Sequence, residues 1–133
     1  MDDYYPNSDL NHIYQKHRKQ VILLLNTIEH TWKTKELNDQ NFEILYDGLK
    51  NPWHGVYFDI VGKEISAMVE KINGIEKIIL NGIKDKHWKV RFNSLVIMKI
   101  FNGGELRNQV IEAGRKDKSK KVREMANDIK RYY

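Results

Sequence analysis

Two short stretches gather the side chains best suited to binding chemistry. Lys84, Lys86, His87, Trp88 and Lys89 cluster in one, and Arg115, Lys116, Lys118, Lys120 and Lys121 in the other. Cations at this density set up a field that steers anionic partners, and phosphate contact would make binding strongly salt-dependent. An indole among them is a residue type enriched at binding hot spots. Trp53-His54 repeat the Trp/His pairing upstream. A plainer use stays open for each set: the lysines can be a solvated rim and the Trp rings can plug gaps between packed elements. Arg91 and Arg123 can contact anions or tie the fold together. An arginine on the first turn of a helix opposes the helix dipole, so a nearby carboxylate such as Asp85 or Asp117 is expected. Glu29, Glu36, Glu43 and Asp47 form an alternative, acidic contact surface for a basic partner.

Catalytic chemistry finds no foothold. The chain has no P-loop, no G-x-S-x-G, no H-E-x-x-H and no Cys–His pair. With no cysteine there is no disulfide or thiolate metal site. His12, His17 and His30, separated by 5 and 13 residues, do not converge as ligands on one helix face. The expectation is a non-enzyme with no metal, no cofactor and no small-molecule substrate.

Charge is asymmetric. Residues 1–50 carry net −2, residues 51–83 net −1 and residues 84–133 net +8, so the overall +5 belongs to the last third. Apolar runs such as 21–25 and 95–98 are far too short to span a bilayer. The acidic, polar start Met1-Asp2-Asp3-Tyr4-Tyr5 lacks the basic and apolar segments of a signal peptide, which fits a cytoplasmic location.

The elements that position these residues follow from an internal repeat. Residues 82–91 read GIKDKHWKVR and residues 114–123 read GRKDKSKKVR, with seven identities at an offset of 32. A fainter copy at 48–58, offset by 34, aligns Gly48, Lys50, Asn51, Val56 and Phe58 with Gly82, Lys84, Asp85, Val90 and Phe92. A period of 32–34 suits a helix-turn-helix unit and is too long for one helix. Gly48, Gly82 and Gly114 are read as helix ends in the left-handed conformation. Asn51, Asp85 and Asp117 are read as capping or turn residues, with Pro52 in a first turn. Val90, Ser94, Ile97, Met98 and Phe101 form a helical stripe, as do Val56, Ile60, Met68 and Ile72, and Leu106, Val110, Ile111 and Ala113. The patterning predicts helices near 9–33, 39–50, 56–72, 75–83, 88–101, 105–115 and 119–132, with Ser8 capping the first.

The pattern D-x-x-x-x-V-R, carried by Asp85 with Val90-Arg91 and by Asp117 with Val122-Arg123, resembles the HEAT-repeat signature of armadillo-type helical repeats. Ser94 and Ala126 fall where that family places small residues. The resemblance covers roughly residues 39–133, and it departs from the pattern in the first unit, where Asn51 and Tyr57 replace Asp and Arg. It implies an all-α, short right-handed α-solenoid of about seven helices. One domain over 1–133 would comprise an N-terminal capping region at 1–38 and repeats at 39–133, with junctions near 48–56, 82–90 and 114–122. It also implies an Asp–Arg ladder through Asp85, Arg91, Asp117 and Arg123, with the first helix of each unit convex and the second concave. Small bacterial HEAT-like chains include immunity or antitoxin-type proteins, so a protein-binding scaffold that neutralises a toxin is the leading expectation. Nucleic-acid binding through the basic edge is the alternative. HEAT-like DNA glycosylases are longer, and nothing here matches a catalytic motif of theirs.

Overall fold

The computed structural model describes residues 17–50, 55–100 and 104–133, with the backbone alone for 55–60. Seven helices occupy them: α1 Arg18–Thr34, α2 Asp39–Lys50, α3 Gly55–Met68, α4 Glu76–Ile83, α5 Trp88–Ile97, α6 Gly104–Arg115 and α7 Lys120–Tyr132. No strand occurs among the described residues. Ser8, His12, Asn51, Pro52, Trp53, His54, Phe101, Asn102 and Gly103 lie outside them, as do the side chains of Val56, Tyr57, Phe58 and Ile60.

The helices form where apolar residues recur at helical spacing. In α1, Val21, Leu24, Ile28 and Thr31 are buried on one face. Thr27 and Thr31 tolerate burial there because each Oγ1 donates to a carbonyl one turn back, at 2.7 Å. The helix stops at Lys35, which adopts the left-handed conformation (φ 58°) and donates its N–H to the Thr31 carbonyl. Asn38 then caps α2, its Oδ1 accepting the Asn41 N–H at 2.8 Å. In α7, Val122, Ala126 and Ile129 carry the buried face.

Helix α4 packs against both α2 and α6, and α5 packs against both α3 and α7. Contacts α2 to α3, α4 to α5, and α6 to α7 join the two rows. The core runs through them as one cluster, from Leu24 and Leu45 by Ile65, Ile78 and Leu95 to Val110 and Ile129. Polar ties reinforce it. Trp32 Nε1 donates to Glu64 Oε2 at 2.6 Å, linking α1 to α3. Buried Asn93 donates to the Leu49 carbonyl at 3.0 Å, satisfying an acceptor at the end of α2. Arg107 donates to the Met98 and Ile129 carbonyls, at the ends of α5 and α7.

The structure corrects three readings of the sequence. Gly48, Gly82 and Gly114 are not left-handed helix ends: they lie inside α2, α4 and α6, and among the described residues the glycines with positive φ are Gly74 and Gly104. Their role is close approach. A Cβ on Gly82 would collide with Ser94 Oγ and lie 2.8 Å from Leu49 Cδ2. One on Gly114 would lie 2.8 Å from Leu95 Cδ1 and 2.9 Å from Ala126 Cβ. Gly82–Ser94 and Gly114–Ala126 are one helix contact used twice, 32 residues apart. Second, α3 ends at Met68 and not at 72, because 69–75 form turns closed by Gly74 at φ +94°. Similarly, α5 ends at Ile97, and Met98 to Ile100 continue as turns with i to i−3 hydrogen bonds. Third, Ala113 is exposed, and the buried face of α6 runs through Val110, Ile111 and Gly114.

Candidate binding edge at the repeat junctions

The two junctions are built alike. The Asp85 carboxylate accepts the His87 N–H at 2.9 Å, and the Asp117 carboxylate accepts the Ser119 N–H at 2.8 Å. These side-chain turns fix the entries to α5 and α7. Arg91 then reaches back to the Asp85 and Lys86 carbonyls, at 2.9 and 3.0 Å, and Arg123 to the Asp117 carbonyl at 2.8 Å. Each loop is therefore clamped by the arginine six residues after its aspartate.

Arg91 also binds the next junction. Its Nε and second terminal nitrogen meet Asp117 Oδ2 and Oδ1 at 2.7 and 3.1 Å, a two-pronged ion pair. Both side chains are under a tenth exposed. From Asp85 it takes only the main-chain oxygen; the Asp85 carboxylate accepts Tyr46 Oη from α2 at 2.7 Å instead. Thirty-four residues before Arg91 the sequence has Tyr57, so no arginine stands at the matching repeat position for Asp85.

Burial opposes ionisation of both aspartates, yet hydrogen bonds outweigh it. The His87 N–H and the Tyr46 hydroxyl hold the Asp85 carboxyl below the usual carboxylate range. Arg91 and the Ser119 N–H do the same for Asp117. Burial, and then the Asp85 carboxylate, push the Tyr46 phenol well up.

Around these clamps the cations face solvent. Lys84, Lys86, Lys89, Lys116, Lys118, Lys120, Lys121, Arg115 and His87 are all exposed. Arg115 is held by Glu112 and Asn127, and Lys120 by Glu124. Among the described residues no carboxylate lies within ion-pair distance of Lys84, Lys86, Lys89, Lys116, Lys118 or Lys121. The starts of α5 and α7 do meet: Lys121 Nζ stands 5.2 Å over the Trp88 ring. Trp88 packs edge-on to Phe92, with centroids 6.1 Å apart, and remains 40% exposed. The first turns of α5 and α7 hold no acidic residue, while Lys89, Lys120 and Lys121 occupy them. Each cation there opposes the helix dipole, at a cost of about 0.3–1 kcal/mol.

The acidic residues are dispersed. Glu29, Glu36, Glu43 and Asp47 are exposed. Glu43 and Asp47 share a cleft, an open groove of about 310 Å³ between α1 and α2, with Leu23 and Ile44 on its walls. Among the described residues no three His, Cys, Asp or Glu side chains could hold a metal, and no helix is long and apolar enough to cross a membrane.

Sequence reasoning missed Tyr46, Asn93 and Arg107. Their partners lie 39, 44 and up to 22 residues away, outside any repeat offset. No family model, curated protein or solved structure matches the chain.

Proposed function

We propose that the protein is a non-catalytic scaffold that binds another protein, built as a short right-handed α-solenoid of HEAT-like hairpins. The repeated Gly–small-residue contact, the repeated arginine clamp and the placement of α4 between α2 and α6 support that architecture. A single hairpin cannot bury its apolar stripe, whereas stacked neighbours bury it continuously.

The observation that carries the binding role is Trp88. A half-exposed indole at the first residue of α5, directly after a loop clamped by Arg91, is a preorganised contact, because little ordering remains to be done on binding. The narrower form of this reading is an immunity protein that neutralises a cognate toxin by covering its working surface.

The test is recovery of the affinity-tagged chain from its native host, followed by size-exclusion chromatography. The expected result is a stoichiometric complex with one protein, whose toxicity to cells is relieved by co-expression if the narrower form holds. Recovery of the chain with no stoichiometric protein partner overturns the reading.

A further inference from the structure

The basic edge differs from a solvated rim in one respect. Lysines that only promote solubility gain nothing from occupying helix first turns, where they oppose the dipole. Here Lys89 and Lys121 do so at two adjacent helix starts, with no carboxylate partner among the described residues, and Lys86 and Lys118 flank them on the loops. The edge gives up stability to present positive charge, an arrangement typical of functional surfaces.

The chemistry of the edge also discriminates between anions. Arginine is the side chain whose fork matches phosphate in two prongs, whereas lysine meets it only as a point charge. The arginines near this edge are already engaged: Arg91 with Asp117 and two carbonyls, Arg123 with the Asp117 carbonyl, Arg115 with Glu112 and Asn127. Single-stranded nucleic acid gains most of its sequence-tolerant affinity by stacking bases on free aromatic faces. The Trp88 ring is covered by Lys121 on one side and meets Phe92 edge-on. What remains is a row of point charges on flexible stems around the exposed rim of an indole. Flexible carboxylates interleaved with apolar side chains fit that surface.

We infer that the edge formed by Lys86, Trp88, Lys89, Lys118 and Lys121 docks an acidic, Asp/Glu-rich segment of a protein partner, its carboxylates on the lysines and an apolar residue against Trp88. This rests on the protein-binding reading above and assigns the surface and the chemistry of the partner.

The experiment is fluorescence anisotropy of a labelled peptide of alternating Asp, Glu and Leu, compared with an oligothymidylate of equal charge. The peptide is expected to bind more tightly, and to weaken as salt rises from about 50 to about 200 mM. Lys86→Glu combined with Lys118→Glu should weaken it by about tenfold or more, and Trp88→Ala by a similar factor. These side chains are exposed, so an unchanged melting temperature certifies each variant. Lys71→Glu, in the turn after α3, should leave binding unchanged. The inference is overturned if the oligonucleotide binds as tightly as the peptide, or if charge reversal on the edge has no larger effect than Lys71→Glu. Neither outcome touches the scaffold reading, which stands or falls on recovery of a protein partner.

Discussion

Arg91→Ala is expected to lower the free energy of unfolding by about 3–5 kcal/mol, one of the two largest effects of any single substitution considered. The side chain does three jobs from one buried position. It neutralises Asp117 through two contacts, closes its own loop on the Asp85 and Lys86 carbonyls, and so couples consecutive junctions. Alanine would leave a carboxylate that is only 7% exposed without its counter-charge. Arg91→Lys keeps the charge and loses the fork, so it should recover only part of the loss. Urea unfolding at neutral pH measures both.

The same contacts make stability depend on pH at the acid end. In the folded chain Asp85 and Asp117 ionise below the usual aspartate range. Their contribution is therefore full above the unfolded value, near pH 4, and is lost as pH falls through the lowered folded values. Removing Arg91 takes away the main group that lowers Asp117 and leaves the burial that raises it. Acid unfolding of Arg91→Ala should begin at higher pH than in the parent chain, measured by circular dichroism across an acid titration. Equal stability and equal acid midpoints would mean that the pair is not formed.

Gly82→Ala is the second. In an ordinary exposed helix interior this change stabilises by up to about 1 kcal/mol, through the helix propensity of alanine. Here the new methyl would enter Ser94 Oγ and press on Leu49. Ser94 is anchored by its bond to the Val90 carbonyl, so relief requires breaking that bond or moving α4 off α5. A net loss of about 1–3 kcal/mol is expected. Ser94→Ala alone should cost less, and the Gly82→Ala/Ser94→Ala double variant should recover part of the loss, because the nearest clashing atom is gone. A stabilised Gly82→Ala would refute the close approach of α4 and α5.

Much of the helical layout was legible in the sequence. Helical spacing of apolar residues placed α2 and α4–α7 within a residue or two at their starts, and the offset of 32 marked the two junctions. What could not be read was the use of residues whose signal is ambiguous in one dimension. A glycine before a turn has the same local signature whether it ends a helix in the left-handed region or lies within the last helical turn against a neighbour. Only the facing residue, Ser94 or Ala126, decides. The left-handed residue that does end α1 is Lys35, and lysine carries no such signal. The aspartates were recognisable as turn residues because their contact to the second following N–H is local. Their other partners were not equally visible. Arg91 reaches Asp117 across one repeat, which periodicity anticipates, but Tyr46 reaches Asp85 from a helix that no offset connects to it. For the binding edge, the sequence supplied the lysines and Trp88. The structure adds which cations are already paired, and that Lys121 lies over the indole.

We propose that the protein acts through its paired repeat junctions. Amide hydrogen exchange in the presence of a saturating acidic peptide tests it most directly. Slowed exchange is expected at residues 86–91 and 118–123, with α1 and α2 unchanged. Protection confined to the α1–α2 groove around Leu23, Glu43 and Asp47, with the junctions unaffected, would contradict it.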